Sequence, residues 1–154
     1  FVGMALLPSE NPAAAPGAVE TAAGSLSLSQ TEWDFGTVPM SEGVVTKEIA
    51  MANDSDAPVT IRELSTSCMC TTAQIVHENG KKSAAKGMVG HGGGSAALSE
   101  TIEPGERATL LVNFDPNAHG PAGTGPITRT VMLMTNSETQ QEMKLTFSGV
   151  VVKE

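Results

Sequence analysis

From Ser25 to the end of the chain, apolar side chains recur at every second position in short runs separated by turn residues. That period of two is the strongest constraint on the fold, because it puts one side of each run against a core and the other toward water, as half-buried strands require. Leu26 and Leu28 open a strand that continues through Trp33 and Phe35 to a turn marked by Pro39 and Gly43. Val45, Ile49 and Met51 share a face of the next, which ends at ANDSDAP, where Asn and Asp side chains favour a turn. Val59 and Ile61 lead toward STSCMCTT at residues 65–72. After the IEPGER turn come Leu110, Val112 and Phe114, then Val131 and Leu133, then Leu145 and Phe147, each set on one strand face. The expected core is Trp33, Phe35, Ile49, Val59, Ile61, Leu110, Val112, Phe114, Val131, Leu133, Leu145 and Phe147. No long amphipathic helix interrupts the series. The pattern predicts an all-β fold, an Ig-like antiparallel β-sandwich of about seven strands.

The chain has 154 residues, enough for one domain with a core. A net charge of −8, with only 9 Lys and Arg scattered along the sequence, excludes the clustered cations that phosphate recognition needs. Nucleic acid and anionic membrane are therefore not expected partners. No window approaches the roughly eighteen apolar residues of a spanning helix, so no membrane span is expected in this chain. Residues 1–24 differ from the rest: FVGMALLP is apolar, and SENPAAAPGAVETAAG reads as a Pro/Ala/Gly linker to the sandwich at 25–154. Such a start is read either as the remnant of an export signal or anchor, which puts the protein outside the cytoplasm, or as an arbitrary boundary.

The segment 73–102 breaks the strand rhythm. Asn79-Gly80 is a two-residue hairpin signal, and AAKGMVGHGGGSAAL after it is rich in glycine, so an inserted hairpin and Gly-rich loop are expected beside the cysteines.

WDFGTVP, the Asn-x-x-x-Ala-Pro turn, Ser-Cys-x-Cys-Thr, Pro-Gly-Glu and Phe-Asp-Pro, spread over roughly residues 31–149, together resemble a bacterial family of exported Ig-like domains, domain of unknown function 1573. That family is itself similar to Hydin-type and major-sperm-protein sandwiches. The resemblance implies the fold and export from a bacterial cytoplasm, and implies no activity. Met69 stands where the family pattern has Gly, and the connection after the pair is longer than that pattern.

Cys68 and Cys70, the only cysteines, would project from one face of an extended strand. Three readings stand: a disulfide or packing pair, a soft-metal site, and thiol redox work. For a metal, Cu(I) or Zn(II), the expected ligands are Cys68, Cys70, Met88 and His91, with the glycine loop folding Met88 and His91 over the thiolates. His77 reads as a solvated hairpin residue. His119, in NAHGPAG, reads as a turn residue that meets the cysteines only if both lie at one end of the sandwich.

No serine sits in a nucleophile elbow and the carboxylates are unpatterned, so no enzyme is expected. The leading expectation is a structural or interaction module whose partner is protein, most simply a homo-oligomer or a surface or filament assembly. Its expected contacts are Phe1, Val2, Met4, Leu6 and Leu7 in the N-terminal segment, and Met132 and Met134, which face away from the core.

Overall fold

The computed structural model describes residues 24–90 and 94–154. Among the described residues there are nine strands: β1 (Ser27–Leu28), β2 (Glu32–Pro39), β3 (Val45–Ala52), β4 (Val59–Thr66), β5 (Thr71–His77), β6 (Ala97–Ile102), β7 (Arg107–Phe114), β8 (Gly125–Thr135) and β9 (Glu142–Val152). They form two sheets, ordered β1-β3-β7-β5 and β2-β9-β8-β4-β6. The only helical element among the described residues is a 3-10 turn at Met40–Glu42. The all-β sandwich read from the alternation is thus present, with nine strands rather than about seven.

Two departures concern the first strand. The run from Leu26 to Phe35 is not continuous: β1 pairs with β3 in one sheet, while β2 crosses to the other and pairs with β9. The β2–β9 pairing is parallel, the one exception to an otherwise antiparallel sandwich. The register of β2 shifts between Asp34 and Thr37, where Gly36 takes φ 73° and its N–H bonds Asp34 Oδ1 at 2.7 Å. Positive φ at this bulge suits glycine. The shift keeps Trp33, Phe35 and Val38 all turned toward the core side, which strict alternation would not allow.

All twelve expected core residues are buried or pack against the core. Trp33, Phe35, Phe114 and Phe147 form one aromatic cluster, with Trp33 stacked on Phe147 at a centroid distance of 5.3 Å and Phe35 edge-on to Phe147 at 5.2 Å.

Residues 73–102 supply ordinary sheet at both ends, most of β5 and then β6, with the hairpin turn at 78–80 between them. Gly80 takes φ 90°, and the return strand bonds β5 through Ser83 N–H to Ile75 O and paired bonds between Ala73 and Lys86. The outer edge of β5 is therefore covered by its own hairpin.

His77 is not a solvated hairpin residue. It is buried at the end of β5, with Nε2 2.6 Å from Glu100 of β6 and Nδ1 2.8 Å from Glu106 before β7. Because β5 and β6 are edge strands of different sheets, this three-residue cluster stitches the two sheets together along one side.

Candidate functional site

The cysteines lie in the connection from β4 to β5, residues 67–70, which is a turn and not the extended strand expected. Thr71 N–H bonds Cys68 O at 3.1 Å to close the turn. Thr66 Oγ1 lies 3.0 Å from Cys68 O and 2.8 Å from Thr71 O, holding it from beneath. The turn draws the two Cα atoms to 5.1 Å, inside the range a disulfide needs, and Cys68 and Cys70 are joined by one. The turn is also anchored to its neighbours: Asp115 N–H bonds Cys70 O at 2.8 Å, and Ser67 N–H bonds Thr130 O at 2.9 Å.

Antiparallel pairing of β5 with β7 sets Thr71 opposite Phe114, so the loop after β7 must lie beside the cysteine turn. This loop is a series of turns: Asn117 N–H bonds Asp115 Oδ1 at 2.9 Å, and Gly120 N–H bonds Asn117 O at 3.0 Å. It presents His119, whose Nε2 is 3.2 Å from Cys68 Sγ. Gly123 leaves room for that histidine, since a Cβ there would sit 3.0 Å from His119 Cβ. The two Sγ atoms and a ring nitrogen of His119 lie within 4.8 Å of one another.

Both sulfurs are surrounded by donors. Cys70 N–H points at Cys68 Sγ at 3.2 Å. Arg129 on β8 donates Nε–H to Cys70 Sγ at 3.2 Å, and the Thr71 hydroxyl is 3.4 Å from the same sulfur. The cysteines are buried, but His119 is exposed, and an open cavity of about 420 Å³ reaches Cys68 between Met69, Met88, His119 and Arg129.

Of the four expected ligands, Cys68 and Cys70 are adjacent and Met88 lines the same cavity. His91 lies outside the described residues. The histidine that meets the cysteines is His119, and Arg129 was not anticipated. His119 is recoverable from the sequence only once β5 and β7 are paired, which brings the two loops to one end. Arg129 gives no local signal, because its contact depends on β8 crossing behind the turn.

Met132 and Met134 stand half-buried on the outer face of the five-stranded sheet, opposite Ser65 and Lys144 and opposite Glu63 and Glu142 respectively. Phe1, Val2, Met4, Leu6 and Leu7 lie outside the described residues.

The family profile described as "Protein of unknown function (DUF1573)" matches residues 26–89, the span that holds the Asp-Phe-Gly-Thr-Val and Ser-Cys-x-Cys-Thr motifs. No curated protein matches the sequence. Among solved structures, a protein of unknown function from Porphyromonas gingivalis W83 superposes with TM-score 0.62 at 16% identity over 88% of this chain and 50% of that one. The chain thus spans about half the length of that protein. The ASH/PapD-like domain 7 of human CEP192 superposes with TM-score 0.51 at 14% identity over 99% of both chains. At these identities the likeness is one of fold: this chain has the Ig-like, PapD-like sandwich. No helix among the described residues is long and apolar enough to cross a membrane.

Proposed function

We propose that this chain is a non-enzymatic, extracytoplasmic Ig-like contact module that associates with further copies of itself, with residues 1–7 of one copy covering the outer face of β8 on another. The observation that carries this reading is the position of Met132 and Met134. They are two polarizable, flexible side chains on the water side of a sheet, and Met132 lines a cavity of about 290 Å³ with Ser65, Thr130 and Lys144. Methionine on an outer face makes a contact surface that adapts to its occupant.

The geometry of the chain also supports this occupant. Gly24 O accepts a bond from Ser137 Oγ at 2.6 Å, which ties residue 24 to the β8–β9 turn. Residues 8–23 can extend about 3.3 Å each, which spans a neighbouring domain. An exported setting is what the family resemblance implies.

Sedimentation velocity tests the reading. The full chain should self-associate with rising concentration, while removal of residues 1–20, and separately Met132→Lys, should return it to a folded monomer. A full chain that stays monomeric at high concentration, or a truncated one that assembles as before, overturns it. So does a monomer whose β8 face is shielded by its own N-terminal segment.

A further inference from the structure

The donor-ringed sulfur pair is a separate feature, at the end of the sandwich reached by the β4–β5 turn. A disulfide carries no net charge and gains little from a guanidinium beside it. Here both sulfurs face N–H or O–H groups, and one faces a cation: Cys70 N–H on Cys68, Arg129 and Thr71 on Cys70. Donors aimed at sulfur stabilise its anionic form. The surroundings of the pair are thus those of two thiolates, with an imidazole nitrogen 3.2 Å from one of them.

We propose that, once the Cys68–Cys70 disulfide is reduced, the two thiolates and His119 Nε2 bind a single Cu(I) ion, with the Met88 thioether facing it from the cavity wall. The three ligand atoms already lie within 4.8 Å of one another. An ion with bonds of about 2.0–2.3 Å to N and S holds its ligands roughly 3.5–4 Å apart, so only a small adjustment is needed after the S–S bond opens. The cluster holds no carboxylate, which disfavours hard, oxygen-seeking cations. Thiolate and thioether ligands favour Cu(I). Charge selects in the same direction: two thiolates, one monovalent ion and Arg129 sum to zero, whereas a divalent ion in the same place leaves an uncompensated positive charge in a largely buried site.

The balance is explicit. A dithiol reductant gives two electrons and two protons to the disulfide, leaves as its own disulfide, and yields two thiols. Cu(I) then displaces those two protons and changes no oxidation state. The oxidised turn, whose sulfurs are bonded to each other, has no thiolate to offer. The pair is therefore a redox gate on the metal site.

The test uses the full chain, reduced with a dithiol that is then removed under argon, and offers Cu(I) as its coloured bicinchoninate complex. The reduced protein should withdraw one equivalent of Cu(I) and develop a sulfur-to-copper absorption band, and the oxidised protein should withdraw none. Cys68→Ser with Cys70→Ser should abolish uptake. His119→Ala, at an exposed position that leaves the sandwich intact, should weaken it by about tenfold or more. Arg129→Leu should reduce the preference for Cu(I) over Zn(II). Equal uptake by the reduced wild type and the double serine variant overturns the proposal. So does a reduced protein that titrates two thiols yet leaves Cu(I) with the competitor. Unchanged affinity in His119→Ala overturns the ligand set.

Discussion

Phe147 touches every other ring in the core: Trp33 stacks on it at 5.3 Å, and Phe35 and Phe114 meet it edge-on at 5.2 and 5.7 Å. With so few aromatics in the chain, no other side chain can take over that junction. Phe147→Ala should therefore lower unfolding free energy by about 3–5 kcal/mol in denaturant titration, the range for a buried aromatic. A loss below about 1 kcal/mol would mean the cluster is not the keystone its geometry indicates. Phe147 and its partners could be found in the sequence because strand periodicity assigns each residue to a face independently of distant ones. Cys68 and Cys70 were legible as a pair for the same reason, but their turn was not. Alternation continues through STSCMCTT on paper, and the bend is held by the Thr66 hydroxyl within the run together with Thr130 O and the Asp115 N–H from outside it. His119 and Arg129 belong to other elements altogether, so their approach to sulfur is a product of topology.

Between elements, the side of the sandwich closed by β5 and β6 depends on ionisation. Burial pulls the His77 pKa down, but hydrogen bonds to Glu100 and Glu106 outweigh it and hold the imidazolium above its ordinary value. Burial likewise pushes Glu106 up, and the Glu103 N–H together with His77 outweighs that and holds the carboxyl below its ordinary value. A raised histidine contributes stability that is complete below its unfolded pKa of about 6.5 and is lost as pH rises through the folded value. A lowered glutamate contributes stability present above about 4.3 and lost as pH falls through its folded value. Denaturation midpoints should therefore be highest between about pH 4.5 and about pH 6.5, and fall on both sides. His77→Gln should remove the alkaline decline. An identical pH profile in that variant would show that the cluster does not link the sheets. No local pattern marks His77, since its partners lie 23 and 29 residues away and its neighbours Glu78 and Asn79 are turn residues.

At the scale of the whole molecule, the N-terminal segment and the sandwich meet at one tight seam. Gly24 packs so closely that a Cβ there would lie 2.6 Å from Ala57 O and 2.8 Å from Val59 Cγ2. Leu26 follows, buried in the core, with its N–H and C=O both bonded to the Gln140 side chain, at 2.6 and 2.9 Å. Then β1 and β2 go to opposite sheets, so this stretch of chain ties both layers to the β8–β9 turn. Gly24→Ala cannot be absorbed by a flexible neighbour, because the nearest atom is a backbone carbonyl oxygen. It should cost about 1–3 kcal/mol, as overpacking does. Removing residues 1–20 should leave the melting temperature nearly unchanged. Removing residues 1–31 takes away Leu26, worth about 1.5–3 kcal/mol, along with β1 and the Ser137 bond, and should lower the melting temperature sharply. Calorimetry on the three variants distinguishes a loss of fold from a loss of association, which the truncation at residue 20 should show alone. If that truncation melts as low as the one at residue 31, residues before Gly24 are part of the folded domain, and a fall in its oligomeric state would report unfolding rather than a missing contact.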